Sequence, residues 1–531
     1  MKFSKHSIFI VNVLSLCALG ANAQSETHQA KDLTLFLKQF HANPALVLEQ
    51  LPPKSRPATL FPKETIDSRE FISIKDHQKA KQNFCKEING VTQCLGDDSL
   101  QGKASFLTND RAEDLVDSTF YHLNNLNDIE KSIRDEEGYL GGELDAQPWS
   151  DDYWPIARGI LGYRYADYDV KHVTGWKNIF DTHFTTFPVS QYIEQGKINY
   201  LSPSEKYDLL IGDENYTLTK AMWAEGQAYW TPEKDVEHWM GICHGWAPAA
   251  YMIPRPKNAI TVTAADGETP ITFYPSDIKA LASLLWAKAS YGTKFIGGRC
   301  NTKNPKKDEH GRIQNQDCFD SNPATWHKVV VNQIKKGPEG RSFVLDASYD
   351  YEVWNQPVYS YSYRYFNVET SARSTKWNDK EVLLKINEYS NDVFKKYRSK
   401  QAKYLVGVEM FVDYMAETRP SQNETDSPSY DAVGSVTYRY DLEITADGEI
   451  VGGEWYSNSH PDFLWTPEKD ARAQTKLDKT LTQVSMTTKH TPKEFKKAAL
   501  YNSSFVGSPS ANGTPLAKVV EELIRLSNEK E

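Results

Sequence analysis

A single cysteine stands between two glycines in the motif Gly241-x-Cys243-x-Gly245, and mostly small or apolar residues follow it up to Met252. This pattern is typical of a chain that leaves a tight turn and enters a buried helix. Cys243 is therefore predicted to lie at or near the N-terminus of that helix, where free backbone N–H groups and the helix dipole stabilise a thiolate and a developing oxyanion. The alternative interpretation is that Cys243 is a small buried hydrophobic residue.

The chain has 531 residues and a formal net charge of −10. This length allows about two to four domains with ample hydrophobic core. The charge balance is mildly acidic and the sequence contains no basic cluster. A nucleic-acid partner is therefore excluded, because phosphate contacts require a concentrated positive surface.

Residues 1–23 have the features of a secretory signal peptide. A basic start is followed by an apolar run over residues 8–19 and by the small-x-small cleavage pattern Ala21-x-Ala23. The mature chain is predicted to begin near Gln24. No later stretch reaches about 18 consecutive apolar residues, so no membrane span is expected after cleavage. We expect a secreted protein that is extracellular, periplasmic or associated with a cell wall.

Export makes the cysteine count informative. Cys17 would leave with the signal peptide, and the remaining cysteines form two closely spaced pairs and one single residue: Cys85 and Cys94, Cys300 and Cys318, and Cys243. An oxidising compartment favours a disulfide within each pair. Cys243 is then left over, which indicates either intermolecular pairing or a reactive nucleophile.

The apolar pattern changes along the chain and predicts an α+β fold, with helices packed beside an antiparallel sheet and a β-rich C-terminal portion. Residues 24–110 form a mixed helical and loop-rich region that fits either a propeptide or a cap. Residues 111–400 contain the helical patterns around Cys243. The pattern of residues 401–490 predicts β-strands. In residues 491–531 the apolar residues near the end have helical spacing, which predicts a terminal helix.

An acidic segment at residues 135–152 ends in Asp151 and Asp152. It lacks the alternating Asp/Asn pattern and the trailing Glu of an EF-hand loop. A calcium site here is therefore only a compositional possibility, and a solvated acidic surface is the preferred interpretation.

Two later stretches predict a pair of neighbouring strands. Residues 326–334 are rich in β-branched side chains, and residues 341–347 follow after a Gly-Pro-Glu-Gly turn. His327 and Asp346 would lie side by side at the ends of these strands away from the turn. Together with Cys243 they would supply the thiolate, the base and the carboxylate that orients the imidazole. The alternative is that His327 is an edge-strand histidine and Asp346 a turn residue.

The stretch Val353–Val358, Val-Trp-Asn-Gln-Pro-Val, matches the core of the peptide elicitor from oomycete cell-wall transglutaminases. Other stretches in the same chain also resemble that family: Ser202–Asp208, Gly241–Ala249, Tyr274–Leu281, Gly452–Trp455 and Ser459–Phe463. Because several separate stretches agree in the right order, the chain is identified as similar to the transglutaminase elicitor family over about residues 145–465.

The resemblance implies a transglutaminase-like or cysteine-protease-like catalytic domain at residues 111–400 and calcium-dependent cross-linking of glutamine to lysine. Cys243 matches the family's nucleophile, whereas His327 and Asp346 are assigned to its Cys-His-Asp site from chain order and strand context. Trp354 and Pro357 resemble the recognition residues of the elicitor peptide. Ca²⁺ is expected from the resemblance alone, and its ligands are unknown. The expected partners are proteins with accessible glutamine and lysine side chains, or polyamines.

Two other kinds of function also fit the sequence. A secreted thiol protease, amidase or protein deamidase would use the same nucleophile and differ in the acceptor or in the bond that is attacked. A catalytically inactive surface protein of the elicitor type would bind a partner without using Cys243.

Overall fold

The computed structural model describes residues 33–43, 85–88, 91–94, 111–116, 122–297, 306–309, 314, 321–347, 353–457, 460–461, 463–474, 478–503 and 513–529. The predicted signal peptide at residues 1–23 lies outside these ranges. Within them, no helix combines the length and the apolar character that crossing a membrane requires.

The α-helices of the described residues are α1 (33–42), α2 (Leu126–Ile133), α3 (Trp176–Phe180), α4 (Val189–Glu194), α5 (Pro203–Ile211), α6 (Thr217–Glu233), α7 (Cys243–Met252), α8 (Pro275–Lys288), α9 (Pro323–Gln333), α10 (Lys493–Ser503) and α11 (Ala517–Glu529). Local signals explain where several of them begin. Ser202 and Glu205 form a reciprocal capping box at the start of α5, and a proline occupies its first turn.

The β-strands of the described residues are β1 (Cys85–Ile88), β2 (Val91–Cys94), β3 (Leu140–Glu143), β4 (Ile260–Thr263), β5 (Pro270–Phe273), β6 (Thr293–Gly297), β7 (Val344–Leu345), β8 (Gln356–Phe366), β9 (Arg373–Ser374), β10 (Leu384–Lys385), β11 (Tyr404–Ala416), β12 (Ala432–Ile444), β13 (Ile450–Trp455) and β14 (Phe463–Pro467). β1 pairs with β2 and β4 with β5, each as a separate antiparallel hairpin.

One antiparallel sheet organises the rest, with its strands in the order β13-β12-β11-β8-β7-β14-β6. β3 and β9 also pair with β8, and β10 pairs with β11. Strands from residues 111–400 and from residues 401–490 thus belong to the same sheet, where β14 lies between β7 and β6. This sheet and the helices packed on it confirm the predicted α+β class.

The sheet separates two hydrophobic cores. Trp465 of β14 belongs to the core that contains Cys243, whereas its neighbour Leu464 belongs to the core that contains Trp326. Successive side chains of a strand point to opposite faces of the sheet. Helix α7, which carries Cys243, therefore lies on one face, and helix α9, which carries Trp326, lies on the other.

Helix α7 packs closely on helix α8 at a glycine. A Cβ atom at Gly245 would lie 2.1 Å from the carbonyl oxygen of Ser283 and 2.5 Å from the Cβ atom of Ala287. Neither distance leaves room for a side chain, so glycine is what allows the two helices to approach. The contact fixes the first turn of α7, where Cys243 lies.

The predicted strand at residues 326–334 is wrong, because these residues belong almost entirely to helix α9. Asn322 caps this helix with its side chain, and Pro323 occupies the first helical position. The three valines at 329–331 are fully buried, so tertiary packing outweighs their β-propensity. The predicted hairpin with residues 341–347 does not exist, and only β7 of that second stretch is a strand.

Candidate active site

Cys243 is the first residue of helix α7, as the glycine pattern predicts. The backbone N–H of Ile242 donates to the carbonyl oxygen of Tyr153 at 2.7 Å. A Cβ atom at Gly241 would lie 2.3 Å from the same oxygen, so the chain before the helix is held tightly. The Cys243 side chain is buried, and it is free rather than disulfide-bonded.

Residues just before β8 hold the thiol. The Asn355 side chain donates from Nδ2 to Cys243 Sγ at 3.5 Å, and the thiol itself faces the carbonyl oxygen of Val353 at 4.0 Å. Trp465 Nε1 donates to Asn355 Oδ1 at 2.9 Å. Because an indole N–H is only a donor, this bond keeps the amide oxygen toward Trp465 and the amide NH₂ toward the sulfur.

Burial raises the pKa of Cys243 to about 12. The negative charges of Glu417 and Asp346 act in the same direction, whereas hydrogen bonds from the Asn355 side chain and backbone lower the pKa because they stabilise the thiolate. The resting thiol is therefore protonated at neutral pH. Chemistry at Cys243 requires a group that accepts its proton.

Asp346 lies next to the end of β7 and is brought to the same site as Cys243. Its Oδ2 accepts a hydrogen bond from the backbone N–H of Trp354 at 3.1 Å. The charge of Asp346 also acts on the thiol pKa. The side chain is 1% exposed. In this arrangement Asp346 orients the segment that contacts the sulfur.

His327 lies in helix α9 and is not brought to this site. Its Nδ1 is 2.8 Å from the hydroxyl of Tyr440, and its ring meets the Tyr363 ring edge-on with 4.9 Å between centroids. Its Nε2 has no hydrogen-bond partner among the described residues. Burial lowers the pKa of His327 to about 3, so the imidazole is neutral. The predicted side-by-side placement of His327 and Asp346 is therefore wrong.

Trp354 and Pro357, for which the resemblance predicts an elicitor-type recognition role, belong to the same stretch as the thiol-contacting Asn355. The Trp354 ring packs edge-on against the Tyr153 ring with 5.3 Å between centroids. Pro357 is paired with Val344 in the register of β7 and β8. Trp354 therefore lies between the two residues that contact the thiol, Val353 and Asn355, and Pro357 lies just after them in β8.

Glu417, whose charge acts on the pKa of the thiol, was missed from the sequence. Asp152 is a second buried carboxyl group, whose charge acts on Glu417. Burial raises the pKa of Glu417 to about 7 and that of Asp152 to about 6. The Gln356 side chain donates a hydrogen bond to the Glu417 carboxylate. The other oxygen, Glu417 Oε1, is buried and has no hydrogen-bond partner in the described part of the chain. No motif marks Glu417, whose position depends on which strands pair.

The end of the acidic segment at residues 135–152 is not a solvated surface. Asp151 and Asp152 are only 2% and 4% exposed. Asp151 Oδ2 accepts hydrogen bonds from Trp154 Nε1 and Ser283 Oγ, both at 2.9 Å. Burial raises the pKa of Asp151 to about 7. This carboxyl group is thus a buried link to helix α8, which corrects the surface interpretation.

The ligands of the calcium ion that the resemblance implies are not marked by a cluster of acidic side chains in the described residues. Calcium prefers about six to eight oxygen ligands, several of them carboxylates. Across the described ranges, no group of three or more His, Cys, Asp or Glu side chains is arranged to hold a metal ion. Calcium can also take backbone carbonyl and water oxygens, so calcium dependence stays a prediction from the resemblance.

The predicted disulfides fall largely outside the described side chains. Cys300 and Cys318 lie outside the described residues. Cys85 and Cys94 are opposite partners in the register of the β1–β2 hairpin. Directly opposite residues of an antiparallel pair have Cα atoms near the separation that a disulfide needs, about 4.4–6.8 Å. Both disulfides remain predictions.

The fold and the site define an α+β protein with a buried cysteine at a helix N-terminus. A family model described as transglutaminase elicitor matches residues 124–491. The match covers more than half of the 531 residues, so the chain belongs to the transglutaminase elicitor family.

Among solved structures, the chain is similar to the crystal structure of the GP42 transglutaminase from Phytophthora sojae. The sequence identity is 20%, the match covers 74% of this chain and 96% of that chain, and the TM-score is 0.44. No curated protein matches the chain.

Proposed function

We propose that the protein is a protein-glutamine γ-glutamyltransferase, which links glutamine side chains to lysine or polyamine amines through a thioester on Cys243. The observation that carries this proposal is the free thiol at the start of α7, hydrogen-bonded by Asn355. Membership of the transglutaminase elicitor family supports it. A helix N-terminus favours negative charge on the sulfur and on an adjacent oxygen, as acyl transfer requires.

In the first step, the sulfur of Cys243 attacks the carboxamide carbon of a substrate glutamine. A C–S bond forms, the C–N bond breaks, and ammonia leaves. The thiol proton must reach the departing nitrogen. Glu417 is the proposed proton carrier, because its pKa of about 7 allows it to accept and to return a proton near neutral pH.

In the second step, a neutral amine attacks the thioester. A C–N bond forms, the C–S bond breaks, and the proton released by the amine returns through Glu417 to the sulfur. The products are an isopeptide and the restored thiol. Water in place of the amine would yield glutamate, so the acceptor separates cross-linking from deamidation.

The test is incorporation of a biotin-labelled primary amine into a glutamine-rich protein, measured together with ammonia release. The wild-type protein should do both, and Cys243→Ser should do neither while keeping the wild-type circular dichroism spectrum, because a serine hydroxyl is a weaker acid and a weaker nucleophile than a thiol. The same assay with a calcium chelator checks the expected calcium dependence.

The other outcomes identify the alternatives. Ammonia release without amine incorporation would identify a deamidase, and peptide-bond cleavage would identify a thiol protease. Full activity in Cys243→Ser would rule out the proposed nucleophile. No reaction with any acceptor, and no alkylation of Cys243 by small reagents, would favour the inactive surface protein.

Export is proposed together with this activity, on the signal-peptide pattern of residues 1–23. Protein collected from outside the producing cell should begin near Gln24 when its N-terminus is sequenced. Mass mapping without reduction should find the Cys85–Cys94 and Cys300–Cys318 bridges. A secreted chain that still begins at Met1, or a bridge to Cys243, would contradict these expectations.

A further inference from the structure

The amide of Asn355 is a buried polar group with a single orientation. The side chain is 1% exposed. Its Oδ1 is occupied by the Trp465 indole at 2.9 Å, and its Nδ2 is 3.5 Å from the Cys243 sulfur. Because the indole can only donate, rotating the amide by half a turn would place two donors against each other. The NH₂ group is therefore fixed toward the sulfur before any substrate binds.

We propose that the Asn355 NH₂ group stabilises the oxyanion that forms on the substrate carbonyl when Cys243 is acylated. This inference rests on the proposed acyl-transfer function. The oxygen of a carbonyl that is attacked by the sulfur is bonded to the carbon that the sulfur joins. A donor that already lies 3.5 Å from the sulfur is thus within reach of that oxygen.

The surroundings of the thiol disfavour negative charge, and Asn355 opposes that effect. Glu417 and Asp346 both oppose negative charge at Cys243, and burial opposes it further. Asn355 is the residue whose hydrogen bonds act the other way, through its side chain and through its backbone N–H. A second donor is available at the helix start, because the first N–H groups of α7 have no acceptor within the helix.

Two reactions of the same thiol separate an oxyanion role from a general effect on the site. Acylation by p-nitrophenyl acetate passes through an oxyanion and produces an acetyl thioester and p-nitrophenol. Alkylation by iodoacetamide displaces iodide and forms no oxyanion. Both rates are measured as a function of pH on the purified protein without residues 1–23, so that a change in thiol pKa is seen in both reactions.

Asn355→Ala should lower the acylation rate of the thiolate by about 10²–10³-fold, with an unchanged number of reactive thiols. The alkylation rate of the thiolate should change by less than about tenfold, because its transition state lacks the oxyanion. The matched control is Asn367→Ala. Asn367 is another buried asparagine, and it directly follows β8. That variant should leave both rates near the wild-type values.

Asn355→Ala also leaves the Trp465 N–H unpaired, which costs about 1–3 kcal/mol and could prevent folding. The double variant Asn355→Leu with Trp465→Phe replaces both partners of this bond by apolar side chains. We expect it to fold, because no buried polar group is left unpaired, although the smaller ring at the buried position 465 lowers its stability. It should show the same selective loss of acylation.

Acylation that is unchanged, or that falls in parallel with alkylation, would overturn the oxyanion assignment. A failure of the proposed function looks different. The ester would then acylate Cys243 at a rate that depends on Asn355, which supports the oxyanion assignment. The protein would nevertheless incorporate no amine into glutamine-rich proteins.

Discussion

Cys243 and His327 lie on opposite faces of one antiparallel sheet. Cys243 packs in the core that contains Trp465, whereas His327 is surrounded by Tyr363 and Tyr440 of the other core. The backbone of the sheet stands between them. A proton acceptor for the thiol must therefore come from the Cys243 face, where Glu417 and Asp346 are the charged groups that act on it.

Replacing His327 should change stability and leave the chemistry intact. His327→Phe loses the hydrogen bond to Tyr440, so we expect a loss of about 1–3 kcal/mol in the free energy of unfolding. Amine incorporation per folded molecule should stay at the wild-type level. Urea unfolding and the amine assay on the same preparation measure both quantities. Loss of activity in a fully folded variant would restore His327 as a catalytic residue.

The lowered pKa of His327 predicts that the free energy of unfolding decreases in acid. The folded-state pKa of about 3 lies below the ordinary 6.5, so the unfolded chain takes up a proton that the folded chain rejects. This contribution should lower stability progressively as the pH falls from 6.5 toward 3. His327→Phe should lose that part of the slope, whereas Tyr440→Phe should keep it. Equal slopes in the wild type and His327→Phe would contradict the assignment.

The resting thiol should react slowly with alkylating reagents at neutral pH. Its pKa of about 12 leaves almost no thiolate, because burial is the main cause of the shift. The iodoacetamide rate of the wild type should therefore keep rising with pH well above the ordinary thiol range, about 8–9. A rate that levels off near pH 8 would mean that a positive charge or further donors stabilise the thiolate.

The sequence predicted what depends on local signals. The glycines around Cys243 placed it at a helix start, because a tight turn and a close helix contact need glycine at Gly241 and Gly245. His327 was misplaced because three consecutive valines suggest a strand. The stronger signal was local too, namely the Asn322 cap and the proline after it.

Glu417 could not have been found from its neighbours. It follows β11, and the antiparallel register that pairs Tyr414 with Val358 brings the end of that strand beside Gln356. Strand pairing over such a distance is set by the whole sheet and is not encoded in a short motif. The oxyanion assignment of Asn355 likewise depends on Trp465, which is 110 positions away.

Gly245→Ala should damage both stability and activity. The added methyl group would lie 2.1 Å from the Ser283 carbonyl oxygen, so helices α7 and α8 must move apart. Overpacking of this kind costs about 1–3 kcal/mol or more, and the first turn that carries Cys243 would shift. Thermal unfolding and amine incorporation test this. Gly267→Ala is the control, because no atom lies within 4 Å of its Cβ position and only its backbone is strained.

The final prediction concerns Glu417 as the proton carrier. A carboxyl group accepts a proton only when it is ionised, so the single-turnover rate of acylation by a glutamine peptide should rise as the pH passes about 7. Glu417→Gln keeps the hydrogen-bonding shape but cannot ionise. It should lose about 10²–10⁴-fold in rate and also lose this inflection. The profile is measured by ammonia release between about pH 5 and 9.

Asp152→Asn gives the matched control. The negative charge of Asp152 raises the pKa of Glu417, so its removal should move the inflection to lower pH and leave the plateau rate nearly unchanged. An inflection that survives in Glu417→Gln would assign the titration to another group. An inflection that moves upward in Asp152→Asn would show that Asp152 does not act on Glu417 by charge, and the carrier would have to be sought elsewhere on the Cys243 face.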